Sequence, residues 1–390
     1  MKIFILNQGS STLKCYLYDF SSLPSQKIDP IWEAHVDHKD AQYTVTIKSH
    51  DRKTLLPDHS MKTIMASLVE GKTAVLSSLS DIDLIGHRIV HGGKKYKKSV
   101  LIDADVKKNI HLLGNLAPLH NEASLKHIET LESLLPKTPQ IAVFDTAFHS
   151  TLSPAASTYP GPYSWIEEGI IRYGFHGISF QYCTRRVQDF FHTLPSRLLI
   201  CHLGSGASLC AIKDGKSIDT TMGFTPLEGL MMDTRSGTID PGILLYLIQK
   251  KHKSVEELSK ELYERSGLLG LSELSSDMRT ILASSDPKAK LALEVYLHRL
   301  LACIGSMIVS LQGLDTLVFT AGIGENAPSI RAHIANSLSF LGVKLDEEKN
   351  LKITPEDRDL SASSSKIKTL LIHTQEAFEI ARECWLLSNS

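Results

Sequence analysis

The sequence has no CxxC pair, no HExxH run and no Cys/His spacing of the kind that holds zinc. It also has no GxxxxGK phosphate loop followed by Ser or Thr. Charge of one sign is missing too. Lys plus Arg number 42 and Asp plus Glu 43, for a net charge of −1, so there is no global basic footprint for nucleic acid. The longest apolar run, Leu300–Leu311, falls short of the ~20 residues a bilayer span needs, and no membrane partner is expected. After Met1-Lys2 the chain enters an apolar run directly, without a basic n-region, h-region and small-residue cleavage site. No secretory signal is therefore expected. Cys15, Cys183, Cys201, Cys210, Cys303 and Cys384 sit mostly among apolar neighbours and read as reduced core residues of a cytoplasmic protein.

What remains is an ordinary globular composition, 42% hydrophobic and 22% charged over 390 residues, enough for two or three domains with their own cores. One stretch stands out. Phe224–Gly242 has no steady period of 2.0 or 3.6, and Gly229, Gly237, Gly242, Pro226 and Pro241 punctuate it, so it reads as a long irregular loop. Phe224, Leu227, Leu230, Met231, Met232 and Ile239 want burial, which argues for order. An ordered loop around a central arginine, Arg235, suits an anionic substrate; a packed connector with a surface arginine is the blander reading. Asp233, two residues away, either tunes Arg235 or caps the turn.

Lys2–Leu6 and Cys15–Asp19 read as strands around the polar turn Asn7–Lys14, a hairpin whose tip offers N–H groups and hydroxyls. Ile31–Val36 and Tyr43–Ile47 continue the sheet, Ser60–Glu70 and Lys72–Leu79 read as helices, and Leu84–Val90 as a strand. It carries Arg88 near its end, and a buried arginine needs either a structural ion pair or a ligand. Lys94-Lys95-Tyr96-Lys97-Lys98 is a basic cluster, solvated or steering anions. Helices are expected at Val106–Leu113 and from Asn121 to about Leu135. Ile141–Asp145 is a short strand that ends in a carboxylate, a usual place for chemistry in open α/β sheets, or simply a strand-end cap. Ser150–Gly161 marks a boundary or linker. His176 lies between glycine turns, structural or catalytic.

Arg197–His202, Leu203–Ser208 and Leu209–Ile212 repeat the first hairpin, which suggests a duplicated two-domain architecture. Ile243–Lys250 and Ser254–Ser266 read as helices. Asp286-Pro287 starts a long apolar core helix that ends at Gly313. Leu317–Thr320 is a strand, followed by a glycine turn that opens a helix at Pro328–Leu338. Ile367–Ile372 is the last strand, and Ala377–Leu387 the final helix.

Three glycine turns thus follow apolar strands, at Gly9-Ser10, Gly204-Ser205-Gly206 and Gly322-Ile323-Gly324. Missing Cβ atoms there let backbone N–H groups approach phosphate oxygens. Arg88, Arg235 and Lys14 supply cations; Asp145, Asn7 and Glu376 supply metal or base partners. Phosphoryl transfer needs that inventory of cradle, cation clamp and Mg²⁺. Gly322-x-Gly-x-x-Ala327 with Asp346 beyond it also matches a dinucleotide fingerprint literally, but too little chain follows for the rest of such a domain.

Together Asn7–Lys14, His87-Arg-Ile-Val-His-Gly-Gly93, Ala117-Pro-Leu-His-Asn121, Phe144-Asp-Thr-Ala-Phe-His149, Tyr173-Gly-Phe-His-Gly177, His202-Leu-Gly-Ser-Gly-Ala-Ser208, the Phe224–Gly242 loop, Gly322-Ile-Gly-Glu-Asn326 and Thr374-Gln-Glu376 resemble the acetate kinase family. They occur in that family's order from end to end. The resemblance implies an α/β fold of two duplicated ribonuclease-H-like (actin-like ATPase) domains with an interdomain cleft. It places them at 1–149, joined by the C-terminal helix 377–390, and at 150–376, the nucleotide-binding domain. It implies reversible phosphoryl transfer from ATP to acetate, giving acetyl phosphate and ADP, with Mg²⁺ or Mn²⁺, in a homodimer. Propionate or butyrate kinase, and an inactive nucleotide-binding module, are the rival readings.

Carried over by motif, Asn7 and Glu376 match the Mg²⁺ positions and Lys14 a nucleotide-phosphate contact. Arg88 matches the residue that binds the substrate carboxylate or phosphoryl group. Val90, Leu119, Phe175 and Pro226 match the methyl pocket. Asp145 matches the catalytic acid/base position, and His176 and Arg235 the transition-state stabilisers. His202, Leu203, Gly204, Ser205 and Gly206, then Asp277, Met278 and Arg279, then Gly322, Ile323, Gly324, Glu325 and Asn326 match three nucleotide segments. Ser205 stands where the family usually has Asn, Asp233 and Ala321 where it has Gly, and Ile171, Ile178 and Phe180 replace commonly polar residues.

Overall fold

Consecutive apolar residues make the sheet centres. Ile3 to Leu6 are all buried, as are Leu198 to Leu203, and a strand with every position buried needs cover on both faces. The computed structural model describes residues 1–9, 12–24, 26–39, 42–49, 52–56, 58–115 and 118–390, without the side chains of 37–39, 42, 43, 115 and 118–120. The chain divides into two units. The first is Met1–Phe148, Gly177–Ser179 and Gln375–Ser390; the second is His149–His176 and Phe180–Thr374.

The first unit contains β1 (Lys2–Gln8), β2 (Thr12–Asp19), β3 (Trp32–Lys39), β4 (Gln42–Ser49), β5 (Arg52–Leu56), β6 (Leu84–Ile89), β7 (Val100–Leu101) and β8 (Gln140–Phe144). They form one sheet in the order β5-β4-β3-β2-β1-β6-β8-β7. β1 pairs antiparallel with β2 and parallel with β6, which pairs parallel with β8. One face packs Phe4, Leu6, Trp32, Ile64, Met65 and Leu131, and further along the same face Tyr96 stacks on Phe144 at 4.6 Å. The helix Glu376–Ser388 closes on β1 and β6, and a Cβ at Gly86 would fall 2.6 Å from Cys384 Sγ.

The second unit contains β9 (Arg197–Leu203), β10 (Ala207–Lys213), β11 (Lys216–Thr220), β12 (Thr316–Thr320), β13 (Arg358–Asp359) and β14 (Lys368–Leu371), in the order β11-β10-β9-β12-β14-β13. Its first hairpin is antiparallel, and β9, β12 and β14 run parallel. Both sheets therefore hold the same five-strand pattern, β3-β2-β1-β6-β8 and β11-β10-β9-β12-β14. Each is a three-stranded antiparallel meander followed by two strands parallel to the last of its three. This is the duplicated frame that the repeated Gly/Ser hairpin predicts.

Three expectations differ. Lys72–Leu79 is not a helix. Its backbone turns back so that the N–H groups of Val75 and Leu76 both donate to Leu68 O, and Ser78 begins a capping box with Asp81. Thr73, Val75 and two serines favour that turn over a helix interior. The glycines at 322 and 324 lie inside a helical turn, Ala321–Asn326, rather than in a loop before the Pro328–Ser337 helix. The long helix, Pro287–Leu311, is capped by Asp286 as expected, but it is one-sided rather than a core helix throughout. Ala289, Ala292, Tyr296, Leu300, Ile304, Met307 and Leu311 form the buried stripe, while Leu291 and Val309 are exposed. By length and composition alone this helix is long and apolar enough to cross a membrane, which the shorter unbroken run did not suggest.

Candidate active site

In the first unit the chemistry gathers at the end of β6. Arg88 Nη2 donates to Asp145 Oδ2 at 2.8 Å and Nη1 to the Gln8 carbonyl at 3.1 Å, while Nε is buried without a partner. Burial alone would lower the arginine's pKa, but the negative charges of Asp145 and Glu376 more than offset it, and the pKa is raised. Asp145 is fully buried just past β8. Its Oδ1 accepts from Ile178 N at 3.3 Å, and its carbonyl from Gly177 N at 2.8 Å. A buried carboxylate held by a guanidinium and a backbone N–H is fixed in place. The ion pair explains how an arginine is tolerated in this strand.

Asn7 ends up beside Glu376, its Nδ2 donating to Oε2 at 3.0 Å. Lys14 sits directly across the β1–β2 ladder from Asn7, on the same sheet face. Among the described residues no cluster of three or more His, Cys, Asp or Glu could hold a metal ion by itself. The donor set is nevertheless right for Mg²⁺, which takes hard oxygens and is usually bound by one or two carboxylates plus substrate phosphates. With the Asn7 amide nitrogen turned to Glu376, Asn7 Oδ1 and the second carboxylate oxygen of Glu376 remain as such donors. Val90 is buried at the end of β6. The side chain of Leu119 lies outside the described residues; its backbone is in the Pro118–Leu134 helix.

The second unit assembles a different set. His176 caps the start of the Gly177–Phe191 helix in the left-handed region, at φ 58°. Its Nδ1 pairs with Ser208 Oγ at 2.8 Å, and its ring stacks on His202 with centroids 4.1 Å apart. Phe180 meets His202 edge-on. Opposite the ring lies the β9–β10 turn. A Cβ at Gly206 would stand 3.2 Å from His176 Nε2, a tight approach, and 3.6 Å from Arg235 Nη1, an ordinary contact, so the turn lies close against both side chains. His202 and Leu203 are buried strand-end residues, while Ser205 at the tip is exposed.

Arg235 Nη1 donates to the Pro226 carbonyl at 3.1 Å, so the loop grips its own arginine. Leu230, Met231 and Met232 are buried, which makes the loop ordered. Its other end hangs on Glu228, which accepts from Arg172 at 2.6 Å and from the Tyr159 hydroxyl. Asp233 accepts from Thr234 N at 2.7 Å and its own N–H donates to the Ser205 carbonyl at 3.4 Å; burial raises its pKa. Phe175 is buried, and its carbonyl pairs with His149 Nε2 at 3.0 Å.

Of the remaining nucleotide segments, Asp277 caps the Met278–Ala283 helix and ion-pairs with Arg279, whose side chain is 88% exposed. Met278 points into the core. Leu274, Asp277, Arg279, Thr280, Ala283 and Ser284 line an open hollow. Glu325 is turned inward, Oε1 accepting from Ala321 N and Thr374 N, and burial raises its pKa. Asn326 closes the same turn on the Gly322 carbonyl at 2.9 Å. Ile323 lies within that turn. Sequence reasoning missed Arg331. It is 1% exposed, and its guanidinium binds the carbonyls of Gly324, Glu325 and Asn350 at 2.7–2.8 Å, fixing the glycine turn from behind. Burial pushes its pKa down to about 10. Its spacing four residues after Ala327, within an apolar helix, was the available signal.

Two sheets of the same strand order, each with a glycine hairpin at its centre, and arginines held beside a buried carboxylate and a glycine turn define a phosphotransferase of the duplicated actin-like ATPase fold. The acetokinase family profile matches residues 2–382. The chain is 48% identical over 401 residues to "Acetate kinase" of Nostoc punctiforme, covering 99% of each. Among solved structures it is similar to acetate kinase of Porphyromonas gingivalis (34% identity, TM-score 0.90, 99% of each chain). It is also similar to a propionate kinase of Francisella tularensis (37%, TM-score 0.88, 98% of each). The chain belongs to the acetokinase family.

Proposed function

We propose that the protein transfers the γ-phosphoryl group of ATP to acetate, reversibly, giving acetyl phosphate and ADP. The observation that carries this is the pre-positioning of two guanidiniums, Arg88 by Asp145 and the Gln8 carbonyl, Arg235 by the Pro226 carbonyl. Acetate is already an anion near neutral pH, so its attack on the γ-phosphorus needs no general base. One P–O bond forms to the acetate oxygen, the bond to ADP breaks, and no proton is transferred. The obstacle is repulsion between carboxylate and phosphate, which fixed cations offset.

In this reading Arg88 receives the carboxylate, and Asp145 acts through it, as a positioning residue rather than a base. A Ser208 hydroxyl donating to His176 Nδ1 leaves Nε2 protonated and aimed at the glycine turn, a donor for the transferring group. Arg235 carries the second charge. Asn7, Glu376 and the nucleotide phosphates would hold Mg²⁺, which neutralises phosphate charge when bound. Lys14, the 202–206 turn, the 277–279 segment and the 322–326 turn bind the nucleotide; Val90, Leu119, Phe175 and Pro226 take the methyl group.

The test is a hydroxamate assay for acetyl phosphate with ATP, Mg²⁺ and acetate. Robust product is expected; ADP binding without acyl phosphate from any short acid would leave an inactive binding module. Initial rates with acetate, propionate and butyrate decide chain length, since one methylene is worth only about 1–3 kcal/mol. A clear preference for a longer acid would refute acetate.

We also assign a homodimer. The Pro241–Lys251 helix has no buried residue and exposes Ile243, Leu245, Tyr246 and Ile248, an apolar surface suited to a second copy. Sedimentation of Leu245→Glu alongside the unaltered protein tests it. A monomer in both cases overturns the assignment.

A further inference from the structure

His149 takes no part in the proposed transfer, yet it is 2% exposed and its bonds lead to His176. Its Nε2 lies 3.0 Å from the Phe175 carbonyl and its Nδ1 2.8 Å from the Ser217 hydroxyl. A carbonyl can only accept, so Nε2 carries the proton. In the neutral ring Nδ1 then accepts from Ser217, whose oxygen takes the Cys210 S–H at 3.3 Å. Thiol, hydroxyl, imidazole and carbonyl form one row with a single direction.

Ser217 reaches this row because β11 is irregular. The β10–β11 register shifts after Ala211: Asp219 pairs with Ala211 and Ser217 with Ile212, which leaves Ile218 extra. In a regular strand Ser217 and Thr220 would face opposite ways, and an extra residue re-aims one of them. Here both come to the imidazole. A Cβ at Gly174 would lie 2.6 Å from His149 Cδ2 and 2.7 Å from Thr220 Cγ2, so the ring packs on bare backbone next to Phe175.

Two paths run from the ring to His176. The first is backbone. The Phe175 carbonyl belongs to the peptide that joins it to His176, so holding the oxygen holds one side of the His176 φ torsion. That torsion is 58°, a left-handed conformation that such a residue keeps only when its surroundings impose it. The second path is aromatic. His149 meets Phe180 edge-on at 5.6 Å, Phe180 meets His202 at 6.3 Å, and His202 stacks on His176 at 4.1 Å.

We infer that His149 is a positioning residue for the transfer: its Nε2–H pins the Phe175–His176 peptide, with Ser217 fixing the tautomer. The aim of the His176 ring and the place of the Phe175 ring follow from that bond. This rests on the reading of His176 as a donor to the transferring group and of Phe175 as a wall of the methyl pocket. His149 acts through these two residues and not on the substrate.

The experiment compares His149→Gln with His149→Asn, each alone and combined with His176→Ala, by hydroxamate assay with urea unfolding in parallel. A glutamine amide can reach the Phe175 carbonyl as Nε2 does; the shorter asparagine amide stops near Ser217. His149→Asn is expected to lower kcat about 10- to 100-fold, the cost of a misplaced catalytic group, and to change KM for ATP less than about two-fold. His149→Gln should keep kcat within about three-fold of the unaltered protein. In the His176→Ala background the asparagine should cost less than about two-fold, because the group it misaims is gone. Equal kcat for the Gln and Asn variants overturns the inference. So does an Asn loss of the same size with and without His176. If His149→Asn fails to fold, Ser217→Ala decides: it keeps the ring but frees its tautomer, and should lower kcat about three- to ten-fold only while His176 is present. An unchanged kcat there overturns the inference. An unchanged kcat in His176→Ala alone overturns the reading of His176, and the inference with it. No acyl phosphate from the unaltered protein overturns the proposed function itself.

Discussion

The ends of β6 and β12 occupy the same place in the two sheets, each parallel to the strand that opens its unit, yet they are built from different materials. β6 ends in side-chain charge: Arg88 locked to a fully buried Asp145. β12 ends in backbone: Ala321 at φ 65°, then a helical turn in which Arg331 ties down the carbonyls of Gly324 and Glu325. A small carboxylate offers few contacts and must be met by a concentrated charge. A nucleotide offers many and can be met by N–H groups spread along a turn. On the proposed reading, one duplicated frame serves two ligands through what hangs from its strand ends.

That contrast can be broken most severely at Arg88. Arg88→Ala strands a buried carboxylate, so about 3–5 kcal/mol of stability should vanish along with activity, measured by urea unfolding. Asp145→Asn in the same background should restore part of it. Arg235→Ala, in the second unit, is predicted to separate the two effects. kcat should fall about 10²–10³-fold with unfolding changed less than by Arg88→Ala, because Arg235 is only part-buried and donates to the Pro226 carbonyl. Equal destabilisation by both variants would erase the distinction.

The next effect is one of pH. His87, beside Arg88 on β6, is 1% exposed, and burial pushes its pKa down to about 4 from 6.5, despite a bond to Gln140 at 2.6 Å. Between about pH 6.5 and 4 the unfolded chain takes up a proton that the fold refuses. Stability is therefore whole above that window and falls as pH drops through it, by roughly 3 kcal/mol for a shift of this size. His87→Asn should flatten the difference between unfolding near pH 7 and near pH 4. The smallest effect belongs to the backbone side. Ala321→Gly relieves a left-handed alanine and should raise stability by about 0.5–1 kcal/mol.

Much of this frame was readable because strand centres such as Ile3–Leu6 and Leu198–Cys201 are apolar at every position and lead into Gly/Ser turns. Edge strands were not. Arg52–Leu56 and Lys216–Thr220 are short and polar, and carry too little pattern to separate from loop. Sequence motifs picked out Arg88, Asp145, His176 and Arg235 one by one, but not who holds whom. Arg88 and Asp145 lie 57 positions apart, and His176 and Ser208 lie 32 apart. Such pairings are set by strand order, which local periodicity does not encode. Glu325 shows the opposite limit: its motif suggests a nucleotide contact, whereas its carboxylate spends itself on the N–H groups of Ala321 and Thr374.

The helix Glu376–Ser388 belongs to the first unit although the chain reaches it only after β14 of the second. Ile380 and Cys384 fill the space over Gly86 and Ile5, and Glu376 stands beside Asn7. During synthesis the ribosome releases residues 1–148 long before that helix exists, so the nascent sheet waits with one face of β1 and β6 uncovered. Chain order thereby becomes an assembly checkpoint. The first unit cannot mature, nor its Asn7–Glu376 pair form, until the second has been translated in full.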